Sequence, residues 1–411
     1  MLQSHVGTAL AGLIAATAIV SPAAALPISL LTTIAIPSDS ANTQPGGGFN
    51  EFDISFFNPA TGTDYVADRS NAAVDVFGGL AFLGRTPDIF AGEAATHETS
   101  GPDGVVVVNS GSSHILFAGD YPSLLRTFTL SSAGLPTGTA FPALNTGGTF
   151  RVDEMSYSPS ANLVLAANNA DTPAFATLVN ASTGTTVVGH IVVPNTVGME
   201  ASVWDPHTGT FFVSVPQFGA SPSDPGGIAE ISTSGVVLNT FHFSSFGISS
   251  CSPAGLVLGA SGHLMAGCSN TGTQAIVFDP TANGGKGAIV KTFTQISGSD
   301  ELWYDPNDHD FYVTGTTASG SEAFDIINDT TLNILASVSL PDVDAHSIAV
   351  DPFNGDVYVP LEGGPTNTLC SLGCMAVYGP TSVPEPGTLP LMVAGLASLI
   401  GVAAHRARRS G

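Results

Sequence analysis

Apolar and polar residues alternate along this chain in short runs, and each run is soon broken by Gly, Pro, Asn or Asp. Period-2 runs bounded by turn formers predict β-strands. Five stretches share one template: FDISFFNPATGTDYVAD from Phe52, VDEMSYSPSANLVLAAN from Val152, MEASVWDPHTGTFFVSV from Met199, DELWYDPNDHDFYVTG from Asp300 and AHSIAVDPFNGDVYVPL from Ala345. In each, an alternating strand runs into an Asn-Pro, Ser-Pro or Asp-Pro turn, and an aromatic, β-branched strand leaves it. Proline sets φ at the second turn position and the short polar side chain before it accepts the following backbone amides, so the template predicts a hairpin.

Two looser copies fill the gaps. GPDGVVVVNSGSSHILFAG, from Gly101, reads as a turn and later strands with a poor first strand; SPAGLVLGASGHLMAGCSN, from Ser252, keeps both strands and loses Asp-Pro. Copies then start every ~45–55 residues, near the period of propeller blades. Third strands are predicted at Ala73–Phe77, Ala174–Val179, Gly227–Ile231, Ala275–Phe278 and Ala323–Ile326. Fourth strands are predicted at Leu124–Leu130, Thr186–Val193, Val236–Phe243, Ala288–Ile296 and Ile334–Leu340. The last repeat stops after a third strand, Met375–Tyr378, while an orphan strand, Ile28–Ile36, precedes the first repeat and reads like the fourth strands elsewhere. Pairing the two would close a ring and remove its exposed sheet edges. The expectation is an all-β fold: one β-propeller over residues 26–380, of seven four-stranded blades, with six or eight as alternatives. These repeats resemble those of the YVTN/YncE-type and NHL-like bacterial β-propellers, a resemblance that bears on fold and leaves function open.

The two ends carry different signals. Ala9 to Val20 is almost purely apolar and Ala23-Ala24-Ala25 offers the small residues of a signal-peptidase site, so residues 1–25 read as a signal peptide despite the lack of an early Lys or Arg. At the other end, Val383, Pro384, Glu385 and Pro386 precede an apolar run from Leu389 to Ala404, then Arg406, Arg408 and Arg409. The run, predicted as a transmembrane helix at 389–404, falls short of the roughly 20 residues of a full span, and the arginines would snorkel to the headgroups. This order of elements, over 381–411, resembles the PEP-CTERM sorting signal. The resemblance implies export, transient membrane anchorage, trimming by an exosortase, and a final place at the cell surface or outside the cell, with exosortase and signal peptidase as partners during export; a permanent anchor is the alternative. It also implies bacteria that make exopolysaccharide, which makes polysaccharide or another envelope component the expected partner.

Charge narrows the function further. The chain holds 33 acidic residues against 9 Lys and Arg, a net charge of −24, and outside the tail the basic residues are only Arg69, Arg85, Arg126, Arg151, Lys286 and Lys291. Such a surface repels phosphate backbones, which excludes nucleic acid as a partner and suits solubility in acidic or salty media or the binding of cations. In an exported chain the four cysteines suit disulfides: Cys251 with Cys268 across a turn predicted at Gly259–Gly262, and Cys370 with Cys374 around a small loop.

No catalytic residue is assigned, because no G-x-S-x-G, H-E-x-x-H or phosphate-cradling G-x-x-x-x-G-K occurs in the sequence. The acidic turn Asp305–Asp310 lacks the glycine and distal glutamate of a calcium loop and reads as solvated. Asp53, Glu98, Glu154, Glu200, Glu301 and His346 open the first strands of successive repeats, with Cys251 or Ser252 in the degenerate copy. Pseudo-symmetry sets such positions on one ring around the central channel. There they would either cap their own strands or hold a divalent cation, calcium before magnesium or manganese. Trp204 and Trp303, just before the Asp-Pro pairs, are expected to pack between blades. The functional expectation is an exported surface or matrix binding protein; the alternative is a metal-dependent hydrolase or lyase acting on lactones or sugars through the acidic ring.

Overall fold

A computed structural model describes residues 27–269, 275–297 and 300–381. The expected signal peptide and the tail with its apolar run lie outside these residues. Among the described residues, no helix is long and apolar enough to cross a membrane.

The local rule that makes the blades is visible at each turn. The carboxylate or amide oxygen of Asn58, Asp205, Asp305 and Asp351 accepts the amide two residues on, at 2.8–3.2 Å. The chain then closes through an amide bonded back to the first carbonyl, from Gly62, Gly209, His309 and Gly355. That closing residue has positive φ: +66° at Gly62, +71° at Gly209, +74° at Gly355, and +59° at His309, with Asn162 at +56° in the third copy. Glycine takes this conformation without a Cβ clash, and Asn or His tolerates it better than most residues. His309 therefore stands where other copies carry glycine.

Seven sheets of at least four strands result, each built as a meander from an inner to an outer strand. The first blade is Phe52–Asn58, Thr63–Asp68, Ala73–Gly78 and Ala81–Arg85. The third is Met155–Ser158, Leu163–Asn168, Phe175–Asn180 and Thr185–Ile191; the fourth is Ser202–Asp205, Thr210–Val215, Gly227–Ser232 and Val237–His242. Pro253–Leu258, Leu264–Cys268, Ala275–Asp279 and Ala288–Phe293 form the fifth, and Leu302–Asp305, Asp310–Thr316, Glu322–Asn328 and Ile334–Ser339 the sixth.

The second blade departs from the sequence reading. Val105–Ser110 is a full inner strand, paired from Val105↔Ala118 to Ser110↔Ser113, so this copy lacks nothing at its start. Leu124–Leu130 is accordingly its third strand, not its fourth. Two short segments, Pro136–Thr139 and Leu144–Asn145, share its outer edge. Continuous valine hides the period-2 signal because this strand is buried on both faces.

The seventh blade closes the ring as expected. Its inner strands are Ala349–Val350, Val357–Leu361 and Cys374–Pro380, and Ile28–Ala35 completes it, antiparallel, from Ile28↔Pro380 to Ala35↔Cys374. Thr381 seals the seam by donating its amide (2.9 Å) and hydroxyl (2.8 Å) to the Pro27 carbonyl. Apolar side chains from neighbouring blades interleave into a chain of buried clusters; one unites Leu165, Leu178, Phe211 and Val213 of the third and fourth blades. Disulfides join Cys251 to Cys268 and Cys370 to Cys374, and none of the four cysteines is free.

Candidate functional site at the acidic end of the channel

Each inner strand is entered by a short extended segment, and these segments meet around the axis. The sheet ladder fixes their side chains: Asp153 and Glu154 sit opposite Ala167 (Asp153 N to Ala167 O 2.8 Å, Ala167 N to Glu154 O 3.1 Å), and Glu200 bonds Ser214 O at 3.1 Å. Close packing holds them from the other side. A Cβ on Gly104 would lie 2.1 Å from the Asp153 carbonyl, and one on Gly119 would lie 2.1 Å from that of Val152. Glycine at both positions lets the second blade's backbone seat the 151–154 segment.

Five of the six sequence-predicted residues, Asp53, Glu154, Glu200, Glu301 and His346, stand at the ring or beside it in ways the sequence did not specify. Asp53 is buried and receives Arg69 at 2.5 Å; Arg69 also binds Asp103 at 2.6 Å, and Arg151 binds Asp153 at 2.8 Å. An alternating chain of carboxylates and guanidiniums thus spans the first three blades. Despite the cost of burial, Arg69, Arg151 and His346 hold Asp53 below the usual carboxylate range. His346 stacks on Phe52 with ring centroids 4.3 Å apart, and its Nδ1 lies 3.2 Å from Asp344. Burial opposes its charge, yet the Asp344 hydrogen bond and the carboxylates of Asp344, Asp300 and Asp53 push it up to about 10. Glu301 reaches across the seventh blade: one carboxylate oxygen accepts the Ser55 amide at 2.9 Å and the Ser347 hydroxyl.

Glu154 and Glu200 differ from these. Burial first, then Asp153 and other carboxyls, hold Glu154 well above its usual value and push Glu200 up to about 8. Glu200 accepts a 3.2 Å hydrogen bond from Asn169. Glu98 is not on an inner strand. It lies in a single helical turn, His97–Thr99, and Asp103 holds the place in the second blade that the other copies give to their opening acids. Arg69, Asp103, Arg151, Asp153, Asp300 and Asp344 escaped the sequence reading, although the Arg-Val-Asp-Glu run at Arg151–Glu154 was a legible signal of paired charge.

Two spaces open from this ring. A polar cleft of about 340 Å³ lies to one side, among Glu98, Asn169, Asp171, Glu200, Gln217 and Asp224. Asn169 Oδ1, buried in it, has no hydrogen-bond partner among the described residues. The channel itself, about 470 Å³, runs between the inner strands and is mainly apolar. Trp204 and Trp303 border it; Trp204 packs on Phe211 of its own blade, and Trp303 meets Phe56 of the first blade edge-on at 5.5 Å. The acidic turn at Asp305 caps itself through Asn307, and Asp310 accepts Asn328 at 2.9 Å.

As a metal centre, only one grouping has suitable geometry among the described residues. Asp53, Asp300 and His346 each offer a ligand atom within 4.8 Å of the others. The fit is partial, since Arg69 already occupies one Asp53 oxygen and the carboxylates around His346 favour its protonated form, which cannot ligate through that nitrogen.

Comparison with known proteins adds the address and supports the fold. Residues 382–409 match the PEP-CTERM protein-sorting motif. No curated protein matches the chain. Among solved structures, 1053 chains are similar to it, so the architecture is common and says little of activity. One, from the crystal structure of the mitotic checkpoint complex, aligns with a TM-score of 0.56 at 13% identity, over 92% of this chain and 99% of its own. At that identity the likeness is one of fold alone.

Proposed function

We propose that this exported, exosortase-processed propeller works at the cell surface or in the extracellular matrix as a binding protein, and that its ligand is a polyhydroxylated polymer such as exopolysaccharide. The polar cleft carries this reading. Its carboxylates and amides accept hydrogen bonds at fixed spacing, and the buried Asn169 oxygen lacks the donor that a sugar hydroxyl would supply. Binding rather than catalysis is favoured because most ring acids are engaged: Asp53 by Arg69, Asp153 by Arg151, Glu301 by Ser55 and Ser347. The test is calorimetric titration of the mature body with envelope polysaccharide fractions. Saturable binding, weakened about tenfold in Asn169→Ala by loss of roughly 1.4 kcal/mol, supports the reading; a folded protein that binds none of the fractions overturns it.

A second reading rests on the Asp53, Asp300 and His346 grouping. A calcium, magnesium or manganese ion held there would supply Lewis acidity for a lactone or sugar hydrolase or lyase. An ion would have to displace the His346 proton and compete with Arg69. Elemental analysis of protein purified without chelator, with melting in the presence and absence of EDTA, decides it. One bound ion per chain and a drop of several degrees on chelation favour the site; no ion and an unchanged melt remove it.

A further inference from the structure

The channel differs in chemistry from both the ring and the cleft. At about 470 Å³ it lies within the range of small-molecule sites, roughly 300–1,000 Å³. Aliphatic side chains such as Val106, Met155 and Leu302 line it, together with the aromatic rings of Phe56, Tyr157, Trp204, Trp303 and Tyr304. One carboxyl breaks this lining without compensation. Glu154 borders the channel, is only 7% exposed, and makes no side-chain hydrogen bond or ion pair among the described residues. Several other channel polar groups are matched: Ser156 and Ser202 bond each other at 2.7 Å, Tyr304 bonds His309 at 3.1 Å, and the carboxylate of Glu301 holds Ser55 and Ser347.

A buried carboxyl left unpartnered is costly unless something completes it. Arg69 and Arg151 are already bound to Asp53, Asp103 and Asp153, and among the described residues no Lys or Arg forms an ion pair with Glu154. Asp153, Glu200, Glu301 and Asp300 all act on it with the same sign. A further anion is disfavoured there, and an apolar, aromatic lumen beside a carboxyl suits a cation whose charge is spread over alkyl groups. Aromatic faces attract such cations through the ring quadrupole.

We propose that the central channel binds a small hydrophobic organic cation of the quaternary or tertiary ammonium class. Its charged head rests against Glu154 among the aromatic rings, and its apolar body lies along the aliphatic inner strands. This site uses neither the cleft residues nor the Asp53, Asp300 and His346 grouping, so its failure leaves both earlier readings standing.

The chain carries its own reporter, because it has only two tryptophans and both, Trp204 and Trp303, border the channel. Benzyltrimethylammonium and its neutral isostere, neopentylbenzene, are titrated into the mature body while tryptophan emission is followed. Saturable quenching is expected, with the cation bound at least about tenfold more tightly than the isostere. Glu154→Gln is expected to reduce that preference to within about threefold while leaving binding of neopentylbenzene in place. A second variant, Trp204→Phe, weakens both ligands, with Trp303 still reporting. Near-ultraviolet circular dichroism verifies that each variant is folded. The proposal is overturned by absence of saturable quenching in the wild type, by equal affinity for the two probes, or by a cation preference that survives Glu154→Gln.

Discussion

Arg69 shows how much a single side chain can hold in this fold. Its guanidinium is 3% exposed and joins Asp53 of its own blade to Asp103 of the next. Removing one partner of a buried ion pair leaves an uncompensated charge, at a cost of about 3–5 kcal/mol. Arg69→Met is therefore expected to lower the urea unfolding midpoint sharply, and Arg69→Met combined with Asp53→Asn and Asp103→Asn to regain most of the loss. A triple variant no more stable than the single one would mean that Arg69 acts through packing instead. At this scale the sequence revealed the acids but not their partners. Asp53 and His346 were legible because they recur at one place in the template; Arg69 was not, because it lies sixteen residues from Asp53, at the end of the second strand, and meets it only across the sheet.

Among elements, the strand Ile28–Ala35 decides whether the ring is closed. Without it Cys374–Pro380 would become an open edge with unpaired backbone groups, the condition that promotes aggregation and strand addition. Deleting residues 27–36 from the mature body is expected to give protein that is not monomeric on size-exclusion chromatography. A synthetic peptide of the deleted sequence should restore the monomer. The two disulfides rank by loop length. The Cys251–Cys268 bridge spans 17 residues and ties neighbouring strands of the fifth blade, so the Ala double variant should lose about 3 kcal/mol; the four-residue Cys370–Cys374 loop should lose about 2 kcal/mol, both read from denaturant curves. Elements were the most legible level of this chain. Turn chemistry and alternation are local, and they placed most strands within a few residues. The second blade was misread because a strand of consecutive valines, buried on both faces, carries no alternation to read.

For the molecule as a whole, the buried acids set the pH response. Burial and neighbouring carboxylates raise Asp153 to about 6, and Glu200 and Glu362 to about 8. A raised folded-state value means that the native state binds more protons than the unfolded chain between the two values. The stability from these groups is complete below about pH 4 and is lost as pH rises through about 8. His346, held up to about 10 against an ordinary 6.5, acts in the same direction over a higher window. The melting temperature is thus expected to fall steadily from pH 5 to pH 9. Glu200→Gln with Glu362→Gln should flatten the lower part of that slope; a melting temperature that rises over this range would contradict the burial of these acids. The net charge of −24 adds self-repulsion in the same sense as carboxyls ionise.

By itself the sequence determined the repeat, the closing strand, the disulfide pairs and the sorting address, and it bounded the blade count at six to eight, which the structure fixes at seven. Each depends on neighbours close in the chain or on pairing rules that repeat. Only the tertiary structure decided what meets at the axis. Seven segments far apart in sequence converge there, and the sign of a charge does not say which opposite charge it will find. That convergence paired Asp53 with Arg69, tied Glu301 across a whole blade to Ser55, turned Glu98 away to the cleft, and left Glu154 alone beside an apolar channel. Burial then shifted the proton affinity of these groups, because desolvation depends on everything packed around a carboxyl and not on the residues beside it in the chain.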